Sequence, residues 1–373
     1  MSTFASDPFG DPFALPEDPD PAPAATLPDP PAAPHDDPLA TPAAPAALTP
    51  DPEPSLAPPP VPEPGLAPPP VPEPTENNAP DSTPVAGPAD DVVPEPPRLG
   101  PTGRPYREFP DPPPLVDGHG PARILAMCNQ KGGVGKTTST INLGAALTEF
   151  GRRVLLVDLD PQGALSVGLG VNPLQLDRTV YNLLMDRGVT VDDVMLKTHV
   201  PGLDLLPSNI DLSAAEVQLV GEVAREQTLL RVLQPVLGEY DVVLIDCQPS
   251  LGLLTVNALT AAHGVVIPLE CEFFALRGVA LLIETIDKIK ERLNPQLDLE
   301  GILATMYDAR TLHGREVLAR VVEAFGDKVF HTVISRTVRF PETTVAGEPI
   351  TTYAPSSTGA KAYRDLAKEV LAR

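Results

Sequence analysis

Ile124-Leu125-Ala126-Met127-Cys128-Asn129-Gln130-Lys131-Gly132-Gly133-Val134-Gly135-Lys136-Thr137-Thr138 is the stretch that decides the fold. An apolar run suited to a strand buried on both faces gives way to a glycine-rich turn. A helical pattern over Thr137 to Phe150 follows at once and stops at Gly151. Strand, glycine loop and helix in that order are the setting of a phosphate loop. Gly132, Gly133 and Gly135 let backbone N–H groups converge on phosphate oxygens, and the helix behind them presents its positive end. Lys136 is placed to bridge the β- and γ-phosphates, and Thr137 to ligate Mg²⁺. Gln130, Lys131, Gly132, Gly133, Val134, Gly135, Lys136, Thr137 and Thr138 are thus the expected cradle for ATP.

Outward from this loop, short apolar runs alternate with amphipathic stretches, the pattern of parallel strands joined by crossover helices. Strands are expected at Ile124–Cys128, Val154–Val157, Leu203–Leu206, Val242–Ile245, Val265–Ile267 and Ile302–Met306. Helices are expected at Thr137–Phe150, Ala214–Val220, Thr228–Leu237, Leu253–Ala262, Val279–Leu293, Glu316–Phe325 and Thr358–Leu371, the last with Thr358 as N-cap. The fold class is therefore α/β, a doubly wound, mostly parallel sheet with flanking helices. Two of the strands deliver carboxylates at their C-terminal ends, where ligands sit in such sheets. One is Val154-Leu155-Leu156-Val157-Asp158-Leu159-Asp160, and the other is Val242-Val243-Leu244-Ile245-Asp246. Asp246 in that position would hold Mg²⁺ through a water, as a Walker B carboxylate does.

The chain divides at about residue 120. Residues 1–121 hold 39 of its 50 prolines, and residues 1–120 carry a net charge of −17 against −6 for the remainder. Low hydrophobicity and one-sided charge cannot offset the entropy of ordering, so residues 1–120 are expected to be a disordered, acidic, Pro-rich tail with polyproline II character. Ser55-Leu56-Ala57-Pro58-Pro59-Pro60-Val61-Pro62-Glu63-Pro64 recurs through Pro74 with Gly65 in place of Ser, which suits a spacer. Residues 121–373 have the length and apolar content of one large α/β domain. Cys128, Cys247 and Cys271 show no paired spacing and read as buried thiols of a reducing compartment. The N-terminus lacks the basic and apolar regions of a signal peptide, and no apolar run approaches a membrane span, so a cytoplasmic location is expected.

In the loop itself, Gln130 occupies the position of the usual first glycine and Lys131 follows it. A lysine there is the mark of the deviant Walker A group, and the sequence resembles the ParA/Soj partitioning ATPases and their relative MinD. The likeness runs from about Arg123 to Leu371. It includes Val154 to Gly163, Tyr240 to Ser250, Ile267-Pro268-Leu269-Glu270-Cys271-Glu272-Phe273-Phe274-Ala275-Leu276, Thr305 to Thr311 and Val333 to Phe340. The resemblance implies that Lys131 reaches across a nucleotide-sandwich homodimer to the partner's ATP. It also implies that Asp160 orients the attacking water and Asp158 supports the Mg²⁺ site, and that Arg310 and Arg339, with Arg336 beside them, contact DNA without reading its sequence. Guanidinium groups suit phosphate contact, being planar and permanently charged.

The function implied is ATP-dependent partitioning of a chromosome or plasmid by a nucleoid-associated ATPase. ATP binding would form the DNA-holding dimer, and hydrolysis stimulated by a ParB-like centromere-binding protein would release it. The Pro-rich tail offers a tether to a polar or scaffold protein. A MinD-like membrane protein would need an amphipathic C-terminal anchor, and Lys361 to Arg373 lacks its bulky exposed residues. A nitrogenase-type iron protein would need paired interface cysteines, for which Cys247 and Cys271 have no supporting context. Gln248 stands where many family members have proline.

Overall fold

The computed structural model describes residues 98–115, 118–272 and 275–373. The expected tail and its repeats lie largely outside these residues. Seven strands form one sheet: β1 (Arg123–Met127), β2 (Val154–Leu159), β3 (Leu196–Lys197), β4 (Leu203–Leu206), β5 (Val242–Cys247), β6 (Gly264–Glu270) and β7 (Asp298–Thr305). Their order is β3-β4-β2-β5-β1-β6-β7, parallel throughout except where β3 pairs with β4. The chain builds β2 to β4 on one side of β1, returns for β5, then crosses β1 to add β6 and β7 on the other side. A crevice at the carboxyl ends beside β1 follows from that reversal.

Both faces of the sheet are covered, which is why its strands read as unbroken apolar runs. On β1, Ile124 and Ala126 belong to one apolar layer and Leu125 and Met127 to the other, each fully buried. Burial of each such leucine or isoleucine contributes about 1.5–3 kcal/mol. Helices Lys136–Glu149 and Thr358–Leu371 share the second layer, where Tyr363, Leu366, Ala367 and Val370 are buried. The apolar stripe of the C-terminal helix thus faces the core, and among the described residues no helix is long and apolar enough to cross a membrane.

Three local expectations need correction. Ser357, not Thr358, caps the C-terminal helix, its hydroxyl accepting from Ala360 N–H. The helix expected over 228–237 ends at Leu233 and tightens into a 3₁₀ turn over Gln234–Glu239, because Pro235 has no N–H to continue the α-helical ladder. The folded part also begins before residue 121. Arg104 donates to the carbonyls of Gly326 (3.2 Å) and Val329 (2.7 Å), Asp111 pairs with Lys368 (2.6 Å), and the Pro113 carbonyl accepts from Arg152 (3.0 Å). Residues 98–115 are thus a strap fixed by polar contacts that composition does not reveal. Arg104→Ala is expected to lower the melting temperature by about 3–6 °C in scanning calorimetry, since it removes the donor of the Gly326 carbonyl and leaves that of Val329 only a long bond from Arg373 (3.5 Å).

Candidate active site

The chain leaves β1 through Asn129, which fixes the start of the loop. Its amide donates to the Pro268 carbonyl (2.7 Å) and its side-chain oxygen accepts from Lys131 N–H (3.0 Å). Gly133 (φ 76°) and Gly135 (φ 83°) take left-handed conformations that let the loop turn into helix Lys136–Glu149. Side chains added at Gly132 or Gly133 would meet no neighbour within 4 Å, so open space lies over the backbone there. Thr305 at the end of β7 donates to the Val134 carbonyl (2.8 Å) and holds the loop from the other side.

Lys136 is buried and donates to the Lys131 carbonyl (3.1 Å). Burial pushes its pKa down, and the Asp246 carboxylate opposes that shift. Asp246 is also buried and accepts from the Thr137 hydroxyl (2.6 Å). In the sheet it lies directly beside Asp158. Burial, then repulsion from Asp158, raises the Asp246 pKa to about 8. Two adjacent buried carboxylates call for positive charge, and Lys136 supplies part of it. A hydroxyl, one carboxylate and open space for phosphate oxygens form a donor set that fits Mg²⁺, which keeps several waters and takes few protein ligands. Among the described residues no cluster of three or more acidic, histidine or cysteine side chains suited to a metal occurs.

Asp158 plays a different part from Asp246. One of its oxygens accepts from both the N–H (2.9 Å) and the hydroxyl (2.7 Å) of Ser166, and the other from Asp160 N–H (3.3 Å). These bonds organise the loop after β2. They leave Asp160 at its bend, with Oδ1 accepting from Gln162 N–H (2.9 Å) and Oδ2 without a hydrogen-bond partner among the described residues. Burial raises the Asp158 pKa to about 6 against the lowering effect of Ser166. On the opposite side of the loop a cavity of about 360 Å³ opens beside Gly135 and Thr138, with Met306, Ile334, Arg336 and Phe340 in its walls. Met306 at its edge takes a left-handed φ of 49°, uncommon for a residue with a side chain.

Residues 122–299 match the AAA domain family. An uncharacterised protein of Mycobacterium tuberculosis is 68% identical over 275 residues, 74% of this chain and 86% of that one. The sporulation initiation inhibitor protein Soj of Bacillus subtilis is 50% identical over 250 residues, 67% of this chain and 98% of Soj. This chain belongs to the ParA/Soj family of ATPases. Among solved structures, one from Mycobacterium smegmatis named cobyrinic acid a,c-diamide synthase, with bound ADP and magnesium, is similar to this ParA/Soj ATPase. It is 46% identical with a TM-score of 0.60, covering 67% of this chain and 94% of that one.

The remaining residues expected from the family sit on the same carboxyl-end face of this ParA/Soj ATPase or close to it. Lys131 is half-exposed on the rim of the loop, its ammonium 3.0 Å from Glu270 and also paired with Glu272. Arg336 donates to Glu270 (3.0 Å). Arg310 forks onto Asp308 at 2.9 and 2.7 Å, holding that carboxyl down at about 2, and Arg339 pairs with Glu342 at 2.8 Å. Gln248 donates to Glu216 (2.7 Å), whose same oxygen accepts from Leu254 N–H (3.1 Å) and so spans the loop that follows β5.

Sequence reasoning missed Glu216, Ser166, Glu270 and Glu272. The last two lie inside a stretch quoted for its likeness. Their pairing with a lysine some 140 positions earlier in the chain has no local signal.

Proposed function

We propose that this chain is a DNA-partitioning ATPase whose ATP-bound homodimer holds DNA without sequence preference and whose hydrolysis step releases it. ATP and Mg²⁺ are the ligands of its site. The observation that carries the reading is Lys131. It is a loop lysine that is half-exposed and paired with Glu270 and Glu272, and its exposure supports a role towards a second molecule once it leaves them. The chromosome-partitioning ATPase Soj of Treponema pallidum, 49% identical over 251 residues and 98% of its own length, supports the partitioning role.

In this reading the N–H groups of Gly132 to Thr138 and the ammonium of Lys136 hold the phosphates. Thr137 and Asp246 would hold Mg²⁺, and Asp158 secures the loop that carries Asp160. Mg²⁺, when bound, would supply neutralisation of the phosphate charge. Asp160 Oδ2 accepts a hydrogen bond from the attacking water and so aims it at the γ-phosphate. Lys131 adds positive charge at the neighbouring molecule's phosphate. The cavity beside Gly135 takes the base, and a ParB-like partner accelerates hydrolysis.

Arg310 and Arg339 are the phosphate contacts in this reading. Each is tied to a carboxylate in the free chain, so DNA phosphate competes with Asp308 and Glu342, and binding is weak until dimerisation doubles the face. The test is retention of a random-sequence duplex with ATP against ADP over a range of salt. Arg310→Ala with Arg339→Ala is expected to reduce ATP-dependent retention at least about tenfold and to flatten its salt dependence, leaving ATP turnover within about twofold. Retention unchanged in that variant would sink the assignment.

A further inference from the structure

Glu270 ends β6, the strand between β1, which feeds the phosphate loop, and β7, which leads to the cavity beside it. Its side chain is only 13% exposed, and its two oxygens are divided between two cations. Oε2 accepts from Lys131 (3.0 Å) and Oε1 from Arg336 (3.0 Å). Glu272, two residues on, holds the same lysine. Arg336 in turn lines the cavity, and its backbone N–H is fixed by the Tyr307 carbonyl (3.2 Å). One carboxylate therefore joins the rim of the phosphate loop to the wall of the cavity.

Lys131 is neutralised within its own chain by this arrangement. To reach a second molecule it must leave both carboxylates, and Glu270, being mostly buried, is the more costly one to leave with an unpaired charge. Arg336 reduces that cost, because it remains on Glu270 after the lysine departs. The same pairing ties one nitrogen of Arg336, an otherwise exposed side chain, to the rim of the nucleotide site.

We propose that Glu270 and Glu272 are positioning residues that hold Lys131 at rest, and that Arg336, by sharing Glu270, sets how readily the lysine is released. This rests on the reading of Lys131 as the group that crosses to the partner's ATP. It moves Arg336 from the DNA face to the ATP site.

The test uses the full chain carrying Asp160→Ala, so that ATP is not consumed. The half-saturating concentration of a fluorescent ATP analogue and the dimer fraction by sedimentation are measured together. Glu270→Gln with Glu272→Gln is expected to lower half-saturation by about three- to tenfold, an effect of the size of two partly exposed ion pairs that shrinks as salt is raised. Arg336→Ala is expected to raise it about twofold or more. Glu272→Gln alone, at an exposed side chain, is expected to give part of the shift, so the outcome does not hang on how Glu270→Gln folds. Lys131→Ala should reduce the dimer fraction, and in its background none of these substitutions should move half-saturation, since there is no lysine to release. A merely structural role for Glu270 would lower the melting temperature and act equally with and without Lys131. Shifts that persist undiminished in the Lys131→Ala background would overturn the clamp while leaving the lysine's role intact. A Lys131→Ala protein that binds nucleotide and dimerises like its parent would overturn that role and the clamp with it.

Discussion

Asp160→Ala is expected to lower kcat for ATP by about 10²–10⁴-fold while leaving nucleotide affinity within about threefold. The loop that carries this residue is secured by other groups. Ser166 holds it to Asp158 through two bonds, and the Asp160 N–H that reaches Asp158 belongs to the backbone and survives the substitution. What is lost is the free Oδ2 of a carboxylate that no other described group duplicates at that bend. Lys136→Gln should behave in the opposite way. That ammonium lies at the floor of the cradle, buried among the loop carbonyls and Asp246, and its loss removes charge from bound phosphate in ground and transition states alike. Filter binding of ATP and single-turnover hydrolysis separate the two cases. Asp160→Ala should trap ATP and keep DNA retained, whereas Lys136→Gln should lose both. If Asp160→Ala hydrolysed ATP within a few-fold of the parent, the water-orienting role would belong elsewhere.

The sheet was legible because parallel strands buried on both faces must be continuous apolar runs, and Leu203–Leu206 was placed to the residue. What escaped lacks such a signal. Leu196–Lys197 is two residues at an edge, where pairing with β4 and not periodicity makes it a strand. The helices Ala164–Gly168, Val180–Met185, Val191–Val194, Arg339–Ala346 and Ile350–Tyr353 have eight residues or fewer, too short for a 3.6-residue period to declare itself. The same division runs through the site. The phosphate loop is contiguous, so its chemistry could be read residue by residue. Arg310 with Asp308 and Arg339 with Glu342 are separated by two and three positions, and these local pairs were available to inspection. Glu270, Glu272 and Glu216 act on residues that only the sheet order brings near. Gln248 is instructive here. As a departure from the family's proline it had no reading, yet its amide on Glu216 gives the loop after Asp246 a polar tie to helix Leu212–Gln218 that proline could not make.

Asp246→Asn is expected to separate stability from activity. The Asp246 carboxyl is fully buried beside Asp158, and its pKa of about 8 in the folded chain lies above the ~3.9 of an unfolded aspartate. The folded state therefore binds this proton more tightly than the unfolded state. Its contribution to stability is whole below about pH 4 and is lost progressively as pH rises towards 8. An asparagine carries no charge to bury, and its oxygen can still accept from the Thr137 hydroxyl. In nucleotide-free, magnesium-free protein the variant should melt about 4–8 °C above the parent at pH 8 and close to it at pH 4. With Mg²⁺ and ATP the order is expected to reverse, because the parent would regain a cation for its paired carboxylates and the variant would lack one of the two side chains proposed to hold that cation. Turnover of the variant should fall by about 10- to 100-fold, with a matching rise in the Mg²⁺ needed for half-activity. Calorimetry at the two pH values and a magnesium titration of ATPase rate measure the two halves separately. A lower melting temperature at pH 8 would mean that Lys136 already compensates Asp246 in full, and the buried pair would then be a structural ion pair rather than a site waiting for a metal.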